Sequence, residues 1–206
     1  MTYTLTLAGK AAFSLAPLSV EEIELARLLC DECVGENLYT KEEIAAAIGS
    51  QDRFFYLLKS DEGEAVGYIY YYLTDVESVA SYAKLDPALV RAVCPDACKK
   101  VGKIQSVGLR AEHRGAGLAS ELIRFSLARL KEAEVDVALI VCWKPGGVVP
   151  LSKALAECRF TYLAEAKRVW YDDAELICPY CGGRCLCDAE VYYKRLDEER
   201  YNEDET

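Results

Sequence analysis

The sequence predicts an α/β domain built on one mixed β-sheet, and three observations lead there. Residues 106–120, Ser106-Val107-Gly108-Leu109-Arg110-Ala111-Glu112-His113-Arg114-Gly115-Ala116-Gly117-Leu118-Ala119-Ser120, read as a short apolar strand, a tight turn with two glycines, and the start of an amphipathic helix. Residues 135–143 are nearly all apolar, as a parallel strand buried on both faces requires. Strand-like and helix-like segments then follow one another in the order β-α-α-β-β-β-α-β-α-β-β.

Taken in order, residues 2–7 set Thr4 and Thr6 on one side and Tyr3, Leu5 and Leu7 on the other, which is a first strand. Residues 9–17 read as irregular. Ser19 with Glu22 three residues on forms a capping box for a helix whose apolar face carries Ile23, Ala26, Leu29 and Val34 and which Gly35 ends. Thr40 with Glu43 repeats the signal for a second helix through Ile48. Residues 54–58 and 65–73 are strands around the turn Ser60-Asp61-Glu62-Gly63. The second of these is the most aromatic run in the chain, and alternation points Tyr68, Tyr70 and Tyr72 to one face and Tyr71 to the other. Within residues 75–100, Asp86-Pro87 starts a helix whose apolar face runs from Ala88 to Val93. Residues 101–109 form the next strand. The helix after Gly117 places Leu118, Leu122, Ile123, Leu127 and Leu130 on one side, with Glu121, Arg124, Arg129 and Lys131 between them. A short helix over 149–157 and strands over 160–171 and 189–196 complete the pass.

Composition narrows the function. The chain has 206 residues, a net charge of −10, and 52% hydrophobic against 28% charged residues, an ordinary soluble balance. That charge disfavours a nucleic-acid backbone as partner and mildly favours a cationic substrate such as an amine. No apolar run approaches a membrane span and residues 1–4 lack the pattern of a signal peptide, so a cytoplasmic protein without membrane partners is expected. The expected organisation is a single domain over 1–196, with an inserted helical segment at 75–100, a cysteine-rich hairpin at 178–187, and a solvated acidic tail at 197–206.

The turn at Gly115 and Gly117 is a phosphate cradle in construction. Glycine lets backbone approach a ligand, and the N–H groups of a helix start lack intrahelical partners and favour negative charge. A P-loop would need Gly-Lys-Ser/Thr, whereas Leu118-Ala119 follows Gly117, and a dinucleotide fingerprint would need a third glycine at Ser120. Arg114-Gly115-Ala116-Gly117-Leu118-Ala119, preceded by the strand residues Val107-Gly108-Leu109, instead resembles the Arg/Gln-x-x-Gly-x-Gly/Ala motif of the GCN5-related N-acetyltransferase (GNAT) superfamily. The element order resembles that family along the whole chain, while the specific signal lies in residues 104–120.

The resemblance implies the acyl-CoA N-acyltransferase fold: a mixed, mostly antiparallel sheet with a splayed parallel pair at the fourth and fifth of the strands above. It implies acetyl-CoA as co-substrate, its pantetheine arm on strand backbone at Val107 and Leu109, and its pyrophosphate on the amides of Arg114, Gly115, Ala116, Gly117, Leu118, Ala119 and Ser120. The Val107 N–H would donate to the thioester carbonyl, where charge grows in the tetrahedral intermediate. The expected reaction moves an acetyl group to a primary amine of a small molecule or peptide, and the amine must lose a proton.

Here the chain departs from the family. Leu155 stands where many members carry a tyrosine acid, Arg159 replaces the usual glycine, and Lys103, Ile104, Gln105 and Ser106 offer no glutamate base. Tyr70, Tyr72 and Tyr162 are the candidate substitutes, and direct attack by an unprotonated amine in a dry cleft needs none of them. Leu155 also keeps open a non-catalytic acyl-CoA-binding or interaction protein on the same fold. The 75–100 segment is read as a cover over the acceptor site, a packing extension or a homodimer contact. His113, the one histidine, reads as loop structure, and Cys142 as a small buried residue.

Ten cysteines are many for this length, and without a secretory signal they read as thiols or metal ligands. Cys178-Pro179-Tyr180-Cys181-Gly182-Gly183 is a zinc-knuckle sequence, and Cys185 and Cys187 complete a possible structural four-thiolate site. In a regular strand Cys185 and Cys187 would face opposite sides, so the segment must turn, or Cys30 and Cys33 must contribute. Free thiols at a hairpin tip are the other reading. Cys94 and Cys98 are expected to pack on a helix face.

Overall fold

The computed structural model describes residues 2–7, 10–94, 98 and 100–196. Among these, eight strands form one sheet: β1 (Tyr3–Leu7), β2 (Lys10–Pro17), β3 (Arg53–Lys59), β4 (Ala65–Thr74), β5 (Val101–Leu109), β6 (Val137–Lys144), β7 (Thr161–Ala166) and β8 (Asp188–Arg195). Their order across the sheet is β1-β2-β3-β4-β5-β6-β8-β7, and every neighbouring pair is antiparallel except β5 and β6. The expected acidic tail lies outside the described residues.

Six helices flank the sheet among the described residues: α1 (Ile23–Val34), α2 (Lys41–Ala45), α3 (Val76–Ala83), α4 (Pro87–Arg91), α5 (Leu118–Glu132) and α6 (Ser152–Glu157). The capping signals work as written. The Thr40 hydroxyl accepts from the Glu43 N–H at 3.1 Å while the Glu43 carboxylate accepts from the Thr40 N–H at 2.8 Å. Asp86 accepts from the Ala88 N–H at 2.9 Å, with Pro87 in the first turn where its missing N–H costs nothing. Helices α5 and α6 cover one face, where Leu118, Leu122, Ile123 and Leu130 pack with Ile69, Ile104 and Ile140. On the other face α1 and α2 close over Phe55, Leu57, Tyr68 and Tyr70, while α3 and α4 close over Val101, Leu139 and Val141. Each such fully buried aliphatic side chain contributes about 1.5–3 kcal/mol of transfer free energy.

Three expectations are corrected. The stretch expected to be irregular contains β2, held by antiparallel ladders to β1 and β3, with Phe13 and Leu15 buried. Its pattern is weak because tertiary pairing, not alternation, makes it a strand. The strand expected over 160–171 stops at Ala166, and Arg168 takes a left-handed φ of 46° in the turn that follows. The 75–100 segment holds two helices, not one: Asp75 caps α3 by accepting from the Ser78 N–H at 2.7 Å. Cys94 and Cys98 do pack against the core beneath α3 and α4, but beyond the end of α4.

The feature that shapes the site lies in β5. Its register with β4 runs Tyr70 to Ser106 and then Tyr71 to Ile104, so Gln105 is an extra, bulged residue. The bulge reverses which residues face which side. A Cβ on Gly102 would meet Leu130 of α5, yet a Cβ on Gly108, also even-numbered, would meet Tyr68 and Cys33 on the opposite face. Parallel pairing with β6 covers only Gly102 to Ile104, and beyond that the two strands diverge.

Candidate active site

The divergence opens a cleft of about 380 Å³, lined from β5 by Gln105, Ser106, Val107 and Leu109 and from β6 by Ile140, Val141, Cys142 and Trp143. The Arg110 N–H bonds the Val66 carbonyl at 3.0 Å, so Val66–Arg110, Tyr68–Gly108 and Tyr70–Ser106 are the hydrogen-bonded pairs of the β4–β5 ladder. Val107 and Leu109 fall between them, and their N–H and C=O groups therefore point away from β4, into the cleft. One of these groups is occupied: the Leu109 carbonyl accepts from Nε of Arg114 at 2.9 Å. That bond ties the glycine turn to the end of the strand.

The turn itself bends at Gly115 and Gly117, with φ of 79° and 88°, and a Cβ at either would meet no atom within 4 Å. Glycine is needed there for backbone conformation, and the open space lies on the cleft side. The first intrahelical bond of α5 runs from the Glu121 N–H to the Gly117 carbonyl at 3.2 Å, which leaves the preceding first-turn amides facing out. Two of the expected cradle residues behave differently from expectation. The Arg114 N–H donates back to Ala111 at 3.2 Å, so the outward amides begin after it. The Ser120 hydroxyl is buried and donates to Glu157 at 2.5 Å, bracing α5 against α6. Gly115, Gly117, Leu118, Ala119 and Ser120 all line the cleft, and Lys153 adds a cation at its rim.

The candidate tyrosines are elsewhere. Tyr70 is buried under α1 and α2 and accepts from Arg53 at 3.0 Å. Tyr72 donates to Gln105 at 3.3 Å, and Tyr162 is 52% exposed on β7 against Tyr192. None of the three lines the cleft. The tyrosines that do are Tyr39, before α2, and Tyr82, on α3. The amide nitrogen of Gln105 donates to the Tyr39 hydroxyl at 3.1 Å and to the Tyr82 hydroxyl at 3.3 Å, and the indole N–H of Trp170 donates to Tyr82 at 2.9 Å. Both donors lack acceptor capacity at those atoms, so the Tyr82 proton is left to point elsewhere. Burial pushes the Tyr82 phenol above its usual range, against the pull of the two accepted bonds. Behind Gln105 sits Lys103, buried, its ammonium nitrogen 3.4 Å from the centroid of the Tyr82 ring and hydrogen-bonded to the Gln105 carbonyl oxygen. Burial holds Lys103 well below the usual lysine range, and among the described residues no carboxylate pairs with it.

Neither Tyr39 nor Tyr82 was marked by sequence, because each becomes a site residue only through the bulge that turns Gln105 toward them. Leu155 is buried in the core with α5 and stays out of the cleft. His113 packs edge-on against Phe13 at 6.0 Å, consistent with a loop role. Cys142 does line the cleft as a buried thiol that burial pushes up.

Between β7 and β8 the chain forms the cysteine hairpin, closed by the Cys178–Gly183 bridge and a turn at Gly182 with φ 69°. The thiols of Cys178, Cys181 and Cys187 lie within 4.8 Å of one another, and the buried Cys185 packs with Cys178 and Cys187 in one cluster. Residues 184–187 are not strand, which resolves the facing problem of Cys185 and Cys187. Cys30 and Cys33 belong to the α1 core and stand apart from this cluster. Burial pushes Cys178 up, but the N–H groups of Cys181 and Tyr180 outweigh it and hold that thiol below its ordinary value.

A splayed parallel pair with free strand backbone, continuous with a glycine-bent helix start, defines a class of acyl-CoA enzymes. The acetyltransferase (GNAT) family model matches residues 22–143, and the chain belongs to that family, whose members are acetyl-CoA-dependent acyltransferases. Among solved structures, Arabidopsis thaliana NAA60 in complex with acetyl-CoA superposes with a TM-score of 0.68 at 11% identity, covering 90% of this chain and 99% of that one. The ribosomal-protein-S18-alanine N-acetyltransferase from Escherichia coli gives 0.60 at 9% identity, over 89% and 94% of the two chains. Mutant forms of the spermidine/spermine N-acetyltransferase SpeG from Vibrio cholerae give 0.60 at 10% identity, over 93% and 98%. At these identities the likeness establishes the fold. No curated protein sequence matches the chain. Among the described residues no helix is long and apolar enough to cross a membrane.

Proposed function

We propose that the protein transfers an acetyl group from acetyl-CoA to a primary amine of a small molecule or peptide. The observation that carries this reading is the outward Val107 and Leu109 backbone, continuous in one cleft with Gly115, Gly117, Leu118, Ala119 and Ser120 of the turn and first helical turn. In this reading the pyrophosphate lies on the turn and first-turn amides of α5, with the helix dipole and Lys153 at the rim favouring its charge. The pantetheine amides pair with strand backbone at Val107 and Leu109. The thioester carbonyl then meets the Val107 N–H, fixed in place before charge develops on that oxygen.

The amine enters from the side closed by Tyr39, Tyr82 and Trp170 and attacks the carbonyl carbon as a neutral nucleophile. Collapse of the tetrahedral intermediate breaks the C–S bond, the departing thiolate takes a proton, and the proton shed by the attacking nitrogen, passed on directly or through water, restores the group that gave it. Tyr82 is the group suited to supply it: two donors occupy its oxygen, and its raised pKa keeps it protonated at neutral pH. The net charge of −10 favours a cationic amine in solution, which must shed its proton before attack.

Thiol release from acetyl-CoA across a panel of polyamines, small amines and peptide N-termini tests the reading. Turnover with one or more of them, lost in a variant with bulky residues at Gly115 and Gly117, is expected. Thermal stabilisation by CoA without turnover on any amine would overturn it.

A further inference from the structure

We propose that Cys178, Cys181, Cys185 and Cys187 hold one structural zinc ion, and that this metal fixes the wall of the cleft opposite the cofactor turn. The geometry of the thiols is the first support. The sulfurs of Cys181 and Cys187 lie 3.6 Å apart. A tetrahedral zinc thiolate site with Zn–S bonds of about 2.3 Å has sulfur–sulfur edges of about 3.8 Å, whereas a disulfide is about 2.05 Å long. Cys178, Cys181 and Cys187, all within 4.8 Å of one another, therefore have the spacing of ligands around a shared centre, and Cys185, buried in the same cluster, is the fourth thiol in reach.

The backbone around the sulfurs is the second support. The Leu186 N–H donates to the sulfur of Cys181 at 3.4 Å. An amide aimed at sulfur stabilises thiolate, the form that binds metal. Binding is written as four thiols and Zn²⁺ giving a tetrathiolate complex of charge −2 and four protons released to solvent. No redox change is involved, and four thiolates leave no open position for water, so the ion is structural.

The consequence for the cleft follows from what the hairpin touches. Cys178 and Cys185 themselves line the cleft. The Ile177 N–H bonds the Glu36 carbonyl at 3.0 Å and the Asn37 side chain bonds the Glu175 carbonyl at 3.3 Å, joining the hairpin to the α1–α2 connection that carries Tyr39. Beyond the cysteines, the apolar cluster of the hairpin is small, Leu176 with Leu38, Trp143 and Trp170, and a metal adds a fixed centre to it. This second part rests on the acceptor side being as proposed above, whereas the metal site does not.

Elemental analysis of the full chain purified without chelator should give one zinc per chain, and cobalt substitution should give the charge-transfer and d–d bands of a tetrahedral thiolate site. Cys181→Ser and Cys187→Ser should lose the metal while Cys94→Ser keeps it. Chelation of the wild type should raise the KM for amine and leave CoA affinity unchanged, which separates a failed metal site from a failed transferase reading. Disulfides in the freshly purified chain, an octahedral cobalt spectrum, or full zinc retention in Cys181→Ser would each overturn the proposal. The cobalt spectrum is read on the wild type, so it decides the matter even if the serine variants do not fold.

Discussion

The indole nitrogen of Trp170 and the hydroxyl of Tyr82 are 2.9 Å apart, and that bond joins the turn after β7 to the helix inserted before β5. Two segments outside the glycine turn are thereby brought to one phenol in the cleft. The inserted segment is both a packing extension, through Val76, Val79, Ala80 and Ala83, and a contributor to the site, through Tyr82.

Tyr82→Phe keeps the ring that Lys103 faces and removes the hydroxyl, both its acidic proton and the acceptor of the Gln105 and Trp170 bonds. If Tyr82 protonates the leaving thiolate, kcat should fall by about 10²-fold, within the range for a positioned general acid. The dissociation constant for CoA, measured by calorimetry, should stay within error. Tyr70→Phe and Tyr162→Phe should leave kcat unchanged, since neither side chain lines the cleft.

Gly108→Ala tests the bulge. A Cβ there would sit 2.2 Å from Cε1 of Tyr68 and 2.8 Å from Cβ of Cys33, and both neighbours are held in the core under α1. Overpacking of this kind costs about 1–3 kcal/mol, and denaturant unfolding should show a loss of that size. Gly63→Ala is the control. Unlike Gly108 it has a positive φ, 84°, and open space around it, so backbone strain of about 1–2 kcal/mol applies without a clash of the added Cβ.

These two sites also mark where sequence stops being informative. The glycine turn, the capping boxes and the apolar strand before Trp143 were legible because each depends on residues close together in the chain. Strand β2 was not, since Phe13 and Leu15 are strand residues only by virtue of partners at Leu5 of β1 and Leu58 of β3. The bulge at Gln105 escaped for a similar reason: a bulge leaves no periodic mark in nine residues, yet it decides that the Val107 N–H points into the cleft and that Gln105 reaches Tyr39 and Tyr82. The tyrosines picked from the β4 run were picked by alternation. Alternation placed Tyr68, Tyr70 and Tyr72 together correctly, but on the face that α1 and α2 bury.

Gly117→Val separates backbone strain from ligand approach. With φ at 88° and no atom near its Cβ position, the substitution meets strain of about 1–2 kcal/mol and no clash within the protein. The branched side chain would instead occupy the space that the proposed pyrophosphate needs. CoA affinity should therefore fall by far more than the melting temperature suggests, about 10²-fold or greater by calorimetry, since amide contacts to a charged group are among the stronger ones. An affinity loss no larger than the stability loss would argue against the cradle.

Lys103 supplies a prediction with a defined pH dependence. Burial lowers its folded pKa below the unfolded value of 10.5, so between those two values the unfolded chain binds the extra proton. Stability then rises with pH across that window; the contribution is complete above the unfolded value and lost as pH falls through the folded one. Lys103→Met removes the titration while filling similar volume. It should melt higher than the wild type at neutral pH, and the advantage should shrink as the pH is raised toward 10.5. Activity should move the other way. Without the ammonium donor, Gln105 keeps only the Tyr72 hydroxyl at 3.3 Å to fix its carbonyl oxygen, and its amide no longer has one enforced orientation toward Tyr39 and Tyr82. A lower kcat with unchanged CoA affinity, together with the pH-dependent stability gain, identifies Lys103 as a positioning residue held at a cost in stability. A variant less stable than wild type at neutral pH would show instead that the aromatic faces and the Gln105 carbonyl fully compensate the buried amine.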